Sequence, residues 1–351
     1  MGGTSGTDAS AVSAGPQDGR VCSLRIARRA LSIRARKRGG RLIEVRGLQK
    51  RFGPTEAVRR VDLQVAAGEC FGLIGPNGAG KTTTLKALAT LIKPDRGVLT
   101  VDGVDVVAEP RQVRRIVGYM PDIFQSYGDL KVIHYLDYFA GLVGLDRERR
   151  VKQVEEVLEL VDLQPKRDAL VGGLSRGVKQ RLCLAKTLLH DPKVLLLDEP
   201  ASGLDPRARI EIRVLLKVLR SDMGKTIIIS SHILEDLEEI CDRVAVIEAG
   251  TVAAVGDVAG LKETARRGRR YLLEPRDDPQ KVAAALAARA DVVASAEVDG
   301  RRVRLTPTDA VTSEAQVLRL LLDEGIGLRA FREEVPDLHE VFLELTSGEV
   351  S

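Results

Sequence analysis

Tryptophan is absent from this 351-residue chain and aromatics make up only 3% of it, so aliphatic side chains must build its cores. Apolar residues reach 44%, enough to fill more than one domain at this length. Cysteine is scarce as well. Cys22, Cys70, Cys183 and Cys241 are widely scattered with no CxxC spacing, which argues against a metal cluster or a disulfide framework and fits a reducing cytosol. No run of about 18 apolar residues occurs, so no segment reads as a membrane span. Acids are missing from residues 20–41, which hold nine Lys and Arg. The formal net charge of +4 therefore sits in that arm, the rest of the chain is slightly acidic, and its charge is not that of a nucleic-acid binder.

Residues 1–40 read as a disordered basic N-terminal extension, rich in Gly, Ser, Thr and Ala up to residue 19 and in arginine beyond it. Val21, Leu24, Ile26, Ala27, Ala30, Leu31 and Ile33 fall roughly on one helical face, so a segment lying on an anionic membrane surface is the alternative. A secretory signal would need an unbroken apolar stretch, which this arm lacks.

What the chain does contain is organised around Gly75-Pro76-Asn77-Gly78-Ala79-Gly80-Lys81-Thr82, a match to the phosphate-binding pattern GxxxxGK[ST]. Residues 71–74 read as a buried strand before it, and the apolar spacing after Lys81 reads as a helix over about 82–91. Glycines let successive backbone N–H groups turn inward, and the helix start favours anions. Lys81 can reach the β- and γ-phosphates, and the Thr82 hydroxyl can ligate Mg²⁺.

A second apolar run, Val194-Leu195-Leu196-Leu197, ends in Asp198-Glu199. A parallel strand buried on both faces explains the run, and its carboxyl end is where open α/β sheets place their sites. Asp198 is expected to hold Mg²⁺, and Glu199 to polarise the attacking water. His232 ends the strand read at residues 226–230, where it can meet the γ-phosphate. Phe52, some two dozen residues before Gly75, can stack on an adenine ring, although a lone Phe is more often core. Between these motifs the apolar period turns helical from about residue 130 to 170, with Val151, Val154, Val157, Leu158 and Val161 on one face.

This order of parts resembles the ATP-binding subunits of ABC transporters over about residues 42–260. Phe52 stands at that family's adenine-stacking aromatic, Gly75 to Thr83 at Walker A, residues 195–199 at Walker B, residues 202–205 at the D-loop and His232 at the switch histidine. The resemblance implies an α/β P-loop NTPase core with an antiparallel β subdomain and a helical insertion at about 125–178, together spanning 41–260. It implies ATP and Mg²⁺, bound through Phe52, Gly75, Pro76, Asn77, Gly78, Ala79, Gly80, Lys81, Thr82 and Thr83. Ser175 and Gly177 of the signature would face a partner's γ-phosphate. Thr82, Asp198 and Asp122 would serve the metal, and Glu199, His232 and Lys81 the hydrolysis. Two departures stand out: the signature LSGGQ is here Leu174-Ser175-Arg176-Gly177-Val178, and Asp122 replaces the Q-loop glutamine, with Gln125 as a nearby substitute.

The implied protein is an ATP hydrolase on the cytoplasmic face of the membrane. It would pair with an identical or related cassette, and it would drive a separate permease, contacted around residues 122–138, that exports drugs, antibiotics or related small molecules or lipids. A soluble ABC-type ATPase acting on ribosomes or DNA is the alternative, but the second cassette or long coiled coils of such proteins are absent; a non-hydrolysing clamp is a third reading. Residues 268–351 read as a small α+β accessory domain. Strands are expected at 271–274, 292–298 and 302–305, with helices at about 279–289 and 312–324. Its β-α-β-β-α order suggests a ferredoxin-like layer, closed by a tail of helical spacing over 335–346.

Overall fold

The computed structural model describes residues 40–124, 127–232, 234–258, 270–308, 311 and 313–334. The basic arm, Gln125 and the helical tail expected after residue 335 lie outside these residues.

Strands β1 (Arg41–Phe52) and β2 (Thr55–Ala66) form a long hairpin, extended well beyond the short strands expected at 42–45 and 61–65. β3 (Cys70–Ile74) leads into helix α1 (Lys81–Leu88), which stops short of the expected residue 91. β4 (Arg96–Val101), β5 (Val104–Asp105), α2 (Pro110–Ile116) and β6 (Val117–Met120) follow. The helical stretch is α3 (Val132–Leu142), α4 (Arg147–Leu160) and α5 (Arg176–Leu188). Then come β7 (Val194–Asp198), α6 (Pro206–Ser221), β8 (Thr226–Ser231), α7 (Leu234–Glu238), β9 (Arg243–Glu248) and β10 (Thr251–Asp257).

These ten strands make one sheet in the order β5-β4-β1-β2-β10-β9-β3-β8-β7-β6. Strands β9, β3, β8, β7 and β6 run parallel to one another, β10 pairs antiparallel with β9 and parallel with β2, and β1 pairs antiparallel with β2 and β4, as β4 does with β5. The continuous apolar runs follow from burial on both faces. In β7, Leu195 and Leu197 join one core with α3 to α6, and Val194 and Leu196 join a second with β1, β2, β4 and α1. Each fully buried Leu or Ile contributes about 1.5–3 kcal/mol, so these strand ends are among the firmest places in the molecule. Tyr135, Leu136, Leu158 and Leu182 tie the helical stretch to the first core. On α4, Val154, Val157 and Leu158 are buried, but Val151 is 60% exposed: three residues before Val154 it lies at the rim of the apolar stripe.

The C-terminal part is β11 (Arg270–Pro275), α8 (Pro279–Ala287), β12 (Val293–Asp299), β13 (Arg302–Pro307), α9 (Glu314–Asp323) and β14 (Leu328–Glu334). Its antiparallel sheet has the order β12-β13-β11-β14, the arrangement of a β-α-β-β-α-β layer. Tyr271, Leu273, Val303 and Leu305 alternate inward against Leu286, Val317 and Leu321 of the two helices.

Candidate nucleotide site

The loop between β3 and α1 is shaped by what it must avoid. Gly75 has φ +155°, and a Cβ there would fall 2.0 Å from the Ile247 carbonyl oxygen on β9. Only glycine fits so close to that neighbouring strand. The loop closes on itself through Ala79 N–H to Pro76 O at 3.2 Å, and is tied down by Gly250 N–H to Ala79 O at 3.0 Å. α1 starts at Lys81 with no side-chain cap and no acid in its first turn, so its first N–H groups are left for an external acceptor.

Lys81 is 5% exposed. Its ammonium donates to Gly75 O at 2.6 Å and Pro76 O at 3.1 Å, and lies 3.7 Å from Glu199 Oε1. Burial lowers its pKa, an effect opposed by the negative charges of Glu199 and Asp198. Lys81 thus sits beside both carboxylates while belonging to the phosphate loop.

Asp198 closes β7 and is almost fully buried. Its Oδ1 accepts from Thr82 Oγ1 at 2.9 Å and from Ser230 Oγ at 2.7 Å, and its Oδ2 from Tyr119 OH at 3.4 Å. Burial, with the Asp198 charge beside it, pushes the Tyr119 phenol well above its usual pKa, so it stays a donor. Glu199 follows with a left-handed φ of +49°, held by Ser230: its N–H reaches Ser230 Oγ at 3.0 Å and Ser230 O at 3.2 Å. His232 Nδ1 lies 2.8 Å from Glu199 Oε2. Lys81, Thr82, Asp198, Glu199 and His232 therefore form one connected cluster, brought together by the carboxyl ends of β3, β7 and β8. Ser230 and Tyr119 belong to it as well. No motif marked them, because a serine in a buried strand and a tyrosine in a short one look ordinary until neighbouring strands are in register.

The other expected residues lie apart from this cluster. Phe52 ends β1, 49% exposed, with Lys50 Nζ 5.4 Å from its ring centroid. Ser175 caps α5 by accepting from Val178 N–H, and Gly177 lies in its first turn. Asp122 is exposed in the loop after β6 and makes no hydrogen bond or ion pair among the described residues, although its charge is felt at Tyr119. Among the described residues no three His, Cys, Asp or Glu side chains cluster as a self-contained metal site. Thr82 and Asp198 nonetheless present two hard oxygens to one point. That suits Mg²⁺, which takes few protein ligands and completes its shell with phosphates and water.

A phosphate-cradling loop, a buried lysine and a paired carboxylate at the ends of parallel strands define a P-loop ATPase. Residues 58–202 match the ABC transporter family model, and residues 256–346 match the C-terminal domain of DrrA1-3-like ATP-binding proteins. A Nod factor export ATP-binding protein I from Burkholderia lata is 38% identical over 310 residues, 88% of this chain and 98% of that one. The daunorubicin resistance ATP-binding protein DrrA2 of Streptomyces coeruleorubidus is 35% identical over 308 residues, covering 88% and 95%. Among solved structures, cbiO1 from Clostridium perfringens, described as part of the ABC transporter complex cbiONQ, superposes with a TM-score of 0.59 at 27% identity over 65% of this chain and 94% of that one. The chain belongs to the ATP-binding subunits of the ABC transporter family. Among the described residues no helix is long and apolar enough to cross a membrane.

Proposed function

We propose that this protein is the ATPase of an exporter for drugs, antibiotics or related small molecules or lipids, working with a separate integral membrane permease from the cytoplasmic face. In this reading residues 41–260 form the cassette and 268–351 an accessory domain that supports pairing or regulation. One phosphate loop and one signature per chain call for a second cassette, identical or related, so that Ser175 and the Gly177 backbone meet the partner's γ-phosphate. Exposed Ile123, Tyr127, Tyr138 and Leu142, beside the loop that carries Asp122, support a permease contact on that surface. No nucleic acid enters this reading.

The observation that carries it is the continuity from Lys81 through Glu199 to His232. Lys81 would exchange its loop carbonyls for the β- and γ-phosphates, and Phe52 would stack on the base. Glu199, oriented by His232, would take hydrogen bonds from the attacking water and align it with the γ-phosphorus. Thr82 and Asp198, with Asp122 as the further expected ligand, would hold Mg²⁺, and the ion would supply charge neutralisation on the phosphates. The test is Glu199→Gln: ATP should still bind and hold two cassettes together, while turnover falls by two orders of magnitude or more, on the order of losses at comparable groups. Turnover equal to the parent's would show that Glu199 is not the hydrolytic carboxylate. Purification from gently solubilised membranes should recover a multi-span protein in near-stoichiometric amount, whereas ribosomal proteins or DNA in its place would refute the exporter reading.

A further inference from the structure

Arg176 stands where the family's signature has a glycine, and the fold gives its side chain a seat. It opens α5 directly after the Ser175 cap, is exposed, and makes no hydrogen bond or ion pair among the described residues. Its guanidinium lies instead against Gly203. A Cβ at 203 would fall 2.4 Å from Arg176 Cζ and 2.5 and 2.6 Å from its terminal nitrogens, and the backbone there has φ +64°. The conformation favours glycine, and any Cβ there would have to displace the guanidinium. One residue further on, a Cβ on Gly177 would come within 2.9 Å of Ala208 Cβ, so the first turns of α5 and α6 abut.

The turn beneath the guanidinium leads straight back to Glu199. Ser202 N–H donates to Glu199 O at 3.1 Å and Leu204 N–H to Ala201 O at 3.4 Å, before Asp205 caps α6 through Ala208 N–H at 3.0 Å. Glu199 occupies the left-handed region, where a non-glycine residue persists only if its surroundings hold it. Ser230 holds it from one side, and the 199–204 turn is the other.

We infer that Arg176 is a positioning residue: seated on Gly203, it fastens the 202–204 turn to the signature helix and thereby fixes Glu199. The inference rests on the reading of Glu199 as the carboxylate that aligns water. A planar guanidinium suits this seat, and the ammonium of lysine does not. A role in charge alone would be met equally by either.

The test uses the full chain in steady-state ATP hydrolysis, with amide hydrogen exchange read at residues 202–204. Arg176→Gly and Arg176→Lys should each lower kcat about threefold or more with KM little changed, and Gly203→Ala, which displaces the guanidinium and also strains the turn at φ +64°, should lower it at least as far. The double variant Arg176→Gly/Gly203→Ala should be no slower than the worse single one, because Gly203→Ala already removes the contact that Arg176→Gly removes. Amide exchange at Ser202 and Leu204 should quicken in Arg176→Gly, with the melting temperature unchanged. Full rescue by lysine, a change in KM alone, multiplicative losses, or unaltered exchange at 202–204 would each overturn the inference. Glu199→Gln run alongside separates the two claims. If it turns over like the parent, the reading of Glu199 fails, while faster exchange in Arg176→Gly would still establish the Arg176 seat.

Discussion

Ser230→Ala is the sharpest test of how the site is built. The Ser230 hydroxyl is buried and serves both acidic residues, donating to the Asp198 carboxylate at Oδ1 (2.7 Å) and accepting from the Glu199 backbone N–H at 3.0 Å. A hydrogen bond to a charged group is worth about 1.5–3 kcal/mol and a neutral one about 1 kcal/mol. Neither partner is orphaned by the change. Asp198 keeps Thr82 at 2.9 Å, and the Glu199 N–H keeps the Ser230 carbonyl at 3.2 Å. The loss should therefore fall at the lower end, about 1–2 kcal/mol of cassette stability. Turnover should suffer too, because Asp198 and Glu199 each lose one restraint: about tenfold in kcat corresponds to about 1.4 kcal/mol at the barrier. Urea unfolding at unchanged m-value reports the first quantity, and ATP turnover the second. Stability within about 0.5 kcal/mol of the parent, the level of an inconsequential surface change, together with undiminished kcat, would refute the account of Ser230 as the shared support.

Phe52→Ala should weaken ATP binding by about 1–3 kcal/mol, the worth of one base–aromatic stack, and leave the unfolding midpoint nearly untouched because the ring is half exposed; titration with a fluorescent nucleotide measures it. Gly75→Ala should abolish nucleotide binding, since its Cβ would meet the Ile247 carbonyl oxygen at 2.0 Å; normal binding would mean the loop moves freely off β9. Lys81 yields a pH prediction. Burial holds its native pKa below the ordinary value of a lysine. Between the two values the unfolded chain holds a proton that the native one has lost, so this group makes stability rise with pH in that window. Subtracting the unfolding free energies of Lys81→Met from those of the parent across the alkaline range isolates it, and a difference that falls or stays flat with pH would contradict the burial of that ammonium.

Where the chemistry depends on neighbours in the chain, the sequence carries it plainly. The phosphate loop, Asp198-Glu199 and the strand before His232 are local patterns, and each lies where its motif puts it. What depends on register between distant strands is not legible that way. No local pattern marks β9 and β10, although β9 is the strand that makes glycine obligatory at 75. β14 likewise carries no strand signature, because Leu328–Glu334 mixes charge with apolar residues and owes its place to pairing with β11. Val151 fits an apolar face by spacing alone and is exposed, since spacing names a stripe but not its rim. The link between Arg176 and Gly203 joins two motifs that are read separately in any linear scan.

The arrangement also explains how Glu199, the hydrolytic carboxylate of the proposed reading, can hold a strained backbone. Glu199 must leave a buried strand and at once aim its side chain back at His232 and Lys81, a turn that regular strand geometry cannot make. A left-handed backbone makes it, at a cost of roughly 1–2 kcal/mol for a non-glycine residue. That cost is affordable here because Asp198 before it is locked in a fully buried strand and Ser230 grips its N–H twice. Such a residue responds sharply to its supports: anything that shifts the 202–204 turn acts directly on the carboxylate. α5 abuts the first turn of α6 at Gly177 and Ala208, and Arg176 of the signature lies against Gly203 of the turn, so in the proposed reading a partner cassette pressing on the signature would move Glu199 without touching it. In the proposed reading, sensitivity of turnover to pairing would then reside in the backbone of this one residue, before any contact of the partner with the nucleotide.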